Sequence, residues 1–368
     1  MNKDSIIEIL KKINYPNYSR DIVSFGIIES IDLSDNIISL KLKLNTNEEI
    51  INSIKNDINT QLKSNFPSFK IDIQINKSEE KVNIISDIKA LKDVKYIVAI
   101  ASGKGGVGKS TTAVNLASIL SKKFKVGILD LDIYGPSLPT ALNIHEKPKM
   151  SENNFLVPIE KDGMKLMSFG FLNNESAPTI WRGPMVSRMT QQFFEQVEWG
   201  ELDILFLDLP PGTGDIQLTL VQKIALSGAI IVTTPQDLAL LDVKKASDMF
   251  NKLNTPILGV VENMSNLLLE GSVKNNEGNF IDGSISINNA EHKIKDGKFT
   301  IDFSLFKGQG GSEESHRLGV PLLSKIPVEP ELAICTDMGT PYVQKHTTYV
   351  TECFEEIGQK IIETLFNE

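Results

Sequence analysis

Residues 96–123 read "YIVAIASGKGGVGKSTTAVNLASILSKK", and this stretch decides the fold. An apolar run ends in a glycine-rich turn, and a segment with helical spacing follows it. Gly103 to Ser110, "GKGGVGKS", fit the pattern G-x-x-x-x-G-K-[ST] in the strand–turn–helix setting that a phosphate-binding loop requires. Gly103, Gly105, Gly106 and Gly108, with Val107 among them, let backbone N–H groups turn inward around an anion. The next helix offers its N-terminus to the same phosphates. Lys109 is placed to neutralise the β and γ oxygens, Ser110 to ligate Mg2+, and Thr111 to support the α-phosphate. The loop also holds a second lysine, Lys104, along its outside. That place suits a plain surface lysine, or a cation that reaches the nucleotide of a facing subunit as an arginine finger does.

Strand–helix alternation continues from Tyr96 onward. Short, nearly continuous apolar runs appear at "KVGILDLD", "DILFLDLP", "GAIIVTTP", "ILGVVENM" and "PLLSKIPV", with helical stretches between most of them. Such runs suit strands covered on both faces. The expected fold is a doubly wound, mostly parallel α/β sheet of the P-loop NTPase type over residues 95–368. Asp130 and Asp132 end one run and Asp208 ends another. Carboxylates at such strand ends, beside a phosphate loop, handle Mg2+ and water. Asp208 fits the carboxylate that holds Mg2+ through water, and "PPGTGD" after it is a loop able to sense a γ-phosphate.

A small α+β domain is expected over residues 1–76, from a helical "SIIEILKKI", two β-rich runs flanking "SDN", a helix through Ile50–Leu62 and the alternating "FKIDIQI". Residues 77–94 read as a linker. Residues 270–303 are polar and Asn/Gly-rich and break the strand–helix rhythm, as an insertion of short hairpins would.

Of 368 residues, 41% are hydrophobic and 23% charged, a balance that supports a buried core. The first residues do not read as a signal peptide, and no apolar run approaches the ~18–20 residues of a membrane span. A cytoplasmic location is expected, without a membrane. The formal charge of −9 disfavours non-specific nucleic-acid binding. Only Cys335 and Cys353 are present, so a disulfide scaffold is not expected. The four histidines are scattered and show no ligand spacing.

"GKGGVGKST" resembles the deviant Walker A loop of the MinD/ParA/nitrogenase-iron-protein superfamily. Together with "DLDIYGPS", "WRGPM" at 181–185, "DLPPGTGD", "TTPQDLALLDVKKA" and "GVVENMS", it resembles the Mrp/ApbC family of iron–sulfur cluster carrier ATPases. The N-terminal unit resembles the small domain that precedes the ATPase in many bacterial members. The resemblance implies a slow, Mg2+-dependent ATPase that works as a homodimer and delivers iron–sulfur clusters to apoproteins or assembly factors. It implies that Lys104 contacts phosphate across an ATP sandwich, that Asp132 positions or activates the attacking water, and that Asp130 stands near the Mg2+ shell. It also implies that Asn263 reads the adenine edge, with "IPVEPEL" nearby; there is no N-K-x-D guanine signature.

The sequence departs from the family at one place. Cluster-binding members carry C-x-x-C shortly after "ENMS", and here that segment, "ENMSNLLLEGSVKNNEGNF", has no cysteine. Two readings stay open: a cluster carrier, and a metal-free dimeric switch that regulates or positions a partner. A MinD-like membrane cycle would need a basic amphipathic C-terminal helix, whereas this tail holds five glutamates (352, 355, 356, 363 and 368) against Lys360.

Overall fold

The computed structural model describes residues 3–14, 16, 21–23, 27–34, 36–43, 48–76, 91–133, 135–172, 192–212, 217, 221, 224–287 and 290–366. The "WRGPM" segment, residues 213–215 of "PPGTGD" and residues 77–90 of the expected linker lie outside them.

The N-terminal unit runs α1 (Lys3–Leu10), β1 (Ile28–Ser34), β2 (Ile37–Lys43), α2 (Glu48–Asn65) and β3 (Lys70–Asn76). β1 and β2 pair antiparallel across the "SDN" turn, where Asn36 takes a positive φ of 71°. β2 and β3 pair parallel, with α2 as the crossover. Ile51, Ile54, Ile58 and Leu62 recur at helical spacing on α2 and are buried together with Ile38, Leu40 and Leu42 of β2.

The second unit contains β4 (Val94–Ala101), α3 (Lys109–Leu120), β5 (Val126–Asp130), α4 (Leu138–Ala141), β6 (Lys149–Met150), β7 (Leu156–Val157), β8 (Ile159–Lys161), β9 (Met164–Ser168), β10 (Leu202–Asp208) and β11 (Gly228–Thr233). It continues with α5 (Asp237–Lys252), β12 (Ile257–Ser272), β13 (Gly283–Ile287), β14 (Ala290–Ile294), β15 (Lys298–Phe303), α6 (Gly310–Leu318), β16 (Leu322–Val328), α7 (Pro330–Asp337), α8 (Tyr342–Lys345) and α9 (Tyr349–Phe366).

The sheet order is β15-β12-β11-β4-β10-β5-β9-β8, with β16 also paired to β12. Pairing is parallel from β16 through β9, while β8 and β15 add antiparallel. Every residue of β5 and β11 is buried, because helices cover both faces of the sheet. β4 sits between β10 and β11, although β5 follows it in the chain. The strand order therefore reverses beside β4, and the crevice of an open α/β sheet opens at that point. The 103–110 loop leaves β4 there.

Beyond its parallel half, β12 runs on, and Leu267 to Ser272 pair antiparallel with β15. β13 and β14 form a further hairpin. The excursion from the parallel sheet thus begins three residues before the polar stretch at 270–303.

α3 is buried on nearly all sides, since the sheet lies under it and α9 crosses above it. Gly358 of α9 is the crossing point. A Cβ there would stand 3.2 Å from Leu120 Cδ2 and 3.6 Å from Leu116 Cδ1. Gly358→Leu would force the two helices apart and cost ~1–3 kcal/mol by overpacking. Thermal unfolding checks this, and an unchanged Tm would show that α9 rides clear of α3.

Candidate nucleotide site

The loop after β4 is shaped for an anion by backbone alone. Gly106 and Gly108 take φ of 80° and 82°, in the left-handed region that side chains resist. A Cβ on Gly103 would overlap the backbone of Asp242 and Val243 in α5, so only glycine lets the loop lie this close to that helix. Val107 is buried. The first turn of α3 receives no side-chain cap, which leaves its N–H groups for an anion. The residues present therefore fit a phosphate chain.

Behind the loop lies a buried ion pair. Lys109 Nζ bonds Asp208 Oδ1, and Ser110 Oγ donates to Asp208 Oδ2 at 2.5 Å. Lys109 and Asp208 are 6% and 2% exposed. The structure thus joins the expected loop lysine, loop hydroxyl and strand-end carboxylate at one point. An ammonium for phosphate stands beside a hydroxyl and a carboxylate suited to a hard divalent cation. Thr111 is half-buried on the first turn of α3.

Asp130 lies next to Asp208 across the β5–β10 register. It is fully buried, and its hydrogen bonds go to the chain itself. Oδ1 accepts from Asp132 N at 3.0 Å. Oδ2 accepts from Ser137 N at 3.1 Å, Leu138 N at 3.2 Å and Ser168 Oγ at 2.9 Å. This carboxyl therefore shapes the 130–138 turn. Burial, and then the charge of Asp208, push it up to about 7 from 3.8, against its backbone hydrogen bonds and Lys109. Asp132 is half-buried, and its Oδ1 accepts from Gly135 N at 3.1 Å.

Two loop residues have partners that sequence reasoning did not find. Lys104 Nζ donates to Gln236 Oε1 at 3.1 Å. Gln236 lies inside the "TTPQDLALLDVKKA" segment, but a lone glutamine carried no signal of its own. Glu262 precedes Asn263, is 2% exposed, and accepts from Gly311 N at 2.8 Å and Ser312 N at 3.2 Å at the start of α6. Asn263 is 6% exposed, and its Nδ2 donates to the Val107 carbonyl at 2.8 Å. It lies directly under Gly108, where an added Cβ would strike it. In this structure its amide nitrogen braces the phosphate loop.

A family model for the NUBPL iron-transfer P-loop NTPases of the ParA group matches residues 93–295. An iron–sulfur cluster carrier protein of Helicobacter pylori is 35% identical over 367 residues, covering 98% of this chain and 92% of that protein. The chain belongs to this family. Among solved structures, a nucleotide-binding protein of Archaeoglobus fulgidus in complex with ADP is 33% identical. Its TM-score is 0.56, over 73% of this chain and 96% of that one. The septum site-determining protein MinD of Pyrococcus horikoshii, 18% identical, shares the fold with a TM-score of 0.50 over 74% of this chain and 98% of its own. The ParA-type P-loop fold expected from the loop is thus present, as is membership of the iron-transfer branch. The family supports nucleotide binding and hydrolysis in general terms.

The raised Asp130 carboxyl has a sign that can be checked. The folded chain holds this proton more tightly than the unfolded chain does. Its contribution to stability is therefore full below pH 3.8 and is lost as the pH rises to about 7. Carbon-detected NMR should place the nucleotide-free Asp130 midpoint near 7. Lys109→Met, which removes a cation that lowers it, should move that midpoint upward. A midpoint in the ordinary carboxylate range would reject the assignment.

Proposed function

We propose that this chain is a Mg2+-dependent, slowly turning-over ATPase that works as a cytoplasmic homodimer and carries iron–sulfur clusters to apoproteins. The observation that carries the reading is the buried Lys109–Asp208–Ser110 set, in a chain similar along 98% of its length to a protein named as such a carrier. Lys109 holds the β and γ phosphates. Ser110 and Asp208 would hold Mg2+, with Asp130 behind Asp208. A bound divalent cation would supply positive charge to the phosphates there, and every other task falls to the chain.

Asp132, on the turn fixed by Asp130, orients the attacking water. Lys104 reaches the phosphates of a facing subunit. Asn263 keeps the loop in register for the nucleotide and lies on its adenine side. Lys104→Ala and Asp132→Ala should each retain ATP binding and lose hydrolysis by tenfold or more, about 1.4 kcal/mol at the barrier. Lys104→Ala should also lose ATP-stabilised dimerisation in sedimentation. Wild-type turnover in either variant removes that residue from the reaction.

The cargo is a substrate here. Among the described residues, no three His, Cys, Asp or Glu side chains gather to hold a metal ion. Cys335 and Cys353 are each 3% exposed. Cys335 Sγ lies 3.6 Å from His346 Nε2, and Cys353 Sγ lies 3.5 Å from the Lys325 carbonyl. A bridging cluster usually takes four thiolates. The carrier reading therefore has the cluster weakly held, with thiols of a client or of glutathione completing its ligands. Anaerobic reconstitution with iron, sulfide and glutathione should load wild type reversibly. Cys335→Ser/Cys353→Ser should keep its ATP turnover. Absence of any cluster from wild type, with or without an apoprotein acceptor, would end the carrier reading.

A further inference from the structure

Gln236 stands at the position before α5 where a side chain commonly caps a helix, yet it makes no cap bond to its own helix. Its amide oxygen instead accepts the Lys104 ammonium at 3.1 Å, across 132 residues of chain. Both partners are half-buried.

The seat of this glutamine is fixed from several sides. The Pro235 carbonyl accepts Gly310 N at 3.1 Å, which ties the segment to the loop returning from the β12–β15 excursion. The Gln236 carbonyl accepts Ala239 N at 2.9 Å in the first turn of α5. Gly103 packs on the backbone of α5 at Asp242 and Val243, so loop and helix are in register. On the other partner, the Lys104 carbonyl accepts Ser102 Oγ at 3.0 Å. The backbone of Lys104 is held while its flexible stem stays free to swing.

The acceptor is neutral, although carboxylates are close by. Asp237 is the next residue, and Asp242 faces Lys245 at 3.6 Å one turn on. A carboxylate would hold the ammonium as an ion pair and compete with phosphate. An amide oxygen accepts one hydrogen bond from the ammonium without offering a counter-charge, whereas a phosphate oxygen offers both.

We propose that Gln236 is the positioning residue of Lys104. In the resting chain it stores the ammonium on its own subunit by a hydrogen bond to an uncharged acceptor. The nucleotide phosphates of a facing subunit take it over. This rests on the reading of Lys104 given above and adds what holds the lysine before it acts.

The test compares wild type, Gln236→Glu, Gln236→Ala, Lys104→Ala and the double variant Lys104→Ala/Gln236→Glu. Storage is read as the acylation rate of the Lys104 amine in the nucleotide-free protein, by mass spectrometry. The rate should fall in Gln236→Glu and rise in Gln236→Ala. Handover is read as ATP turnover. Gln236→Glu should lower kcat about two- to fivefold with KM unchanged, the strength of a half-exposed ion pair. Salt at about 0.5 M should remove most of that loss by screening. In the Lys104→Ala background, Gln236→Glu should cause no further loss. Equal Lys104 reactivity in wild type and both Gln236 variants overturns the storage contact. A Gln236→Glu loss of the same size without Lys104 overturns the route through Lys104. Altered reactivity alongside full turnover in Lys104→Ala overturns the handover and the trans role of Lys104 together, while the storage contact stands.

Discussion

At the carboxyl ends of β4 and β10, a buried ammonium meets a buried carboxylate. Lys109 and Asp208 are out of water, and each is tolerable there only because of the other. Removing one partner of such a pair leaves a bare charge in a poor solvent, at a cost of about 3–5 kcal/mol. Asp130 brings a second carboxyl alongside Asp208, and burial together with that neighbouring charge favours its protonated form. In the proposed ATPase, phosphate would add negative charge beside Lys109 while a divalent cation would add positive charge beside Asp208. The protonated tendency of Asp130 fits the same balance, since a neutral carboxyl can sit next to an ionised one without repulsion.

Around this pair, the strand ends brace one another and not only the ligand. Asn263 of β12, where the register with β16 shifts, holds the Val107 carbonyl. Glu262, one residue before it, occupies the start of α6, with Lys325 at 3.3 Å from its other oxygen. Its carboxylate satisfies N–H groups that a helix N-terminus would otherwise leave bare. Gly310, at the same helix start, bonds Pro235 beside Gln236. The phosphate loop, the start of α5 and the base of the β12–β15 excursion are thereby linked through short hydrogen bonds. A change in the loop has a physical path to the excursion, through residues adjacent in the chain to those that touch the loop.

Legibility in the sequence followed the range of the forces involved. The loop and its strand-end partner were readable because a phosphate site fixes residue types at fixed spacing: Lys109 and Ser110 of the loop meet Asp208. The parallel strands were readable because burial on both faces demands unbroken apolar runs, as in β5 and β11. Roles set by long-range contact were not readable. Nothing local marks Gln236 as the acceptor of Lys104, or Ser168 as a donor to Asp130. Asp130 reads as a metal-site carboxylate from its place at a strand end, while its oxygens are taken up by the turn that follows. The start of the excursion was displaced for a similar reason. "NLLLEG" is apolar enough to continue β12, so the change from parallel to antiparallel partners leaves no break in composition.

The chemistry of the two thiols bears on how a cargo would leave. Cys353 is buried on α9, and burial pushes its thiol up, away from the thiolate that binds metal. Cys335 is buried on α7 beside His346, whose ring stacks on Tyr342 at 4.5 Å between centroids. A cage of four thiolates from such chains would have to be drawn out of two hydrophobic cores, at the expense of the packing around Val343, Val350 and Phe354. A cluster held in part by outside thiols needs no such rearrangement, and an incoming client can exchange those thiols one at a time. In the carrier reading, the missing C-x-x-C then alters the hold on the cargo more than it alters the ATPase, because the Lys109–Asp208 set contains no sulfur.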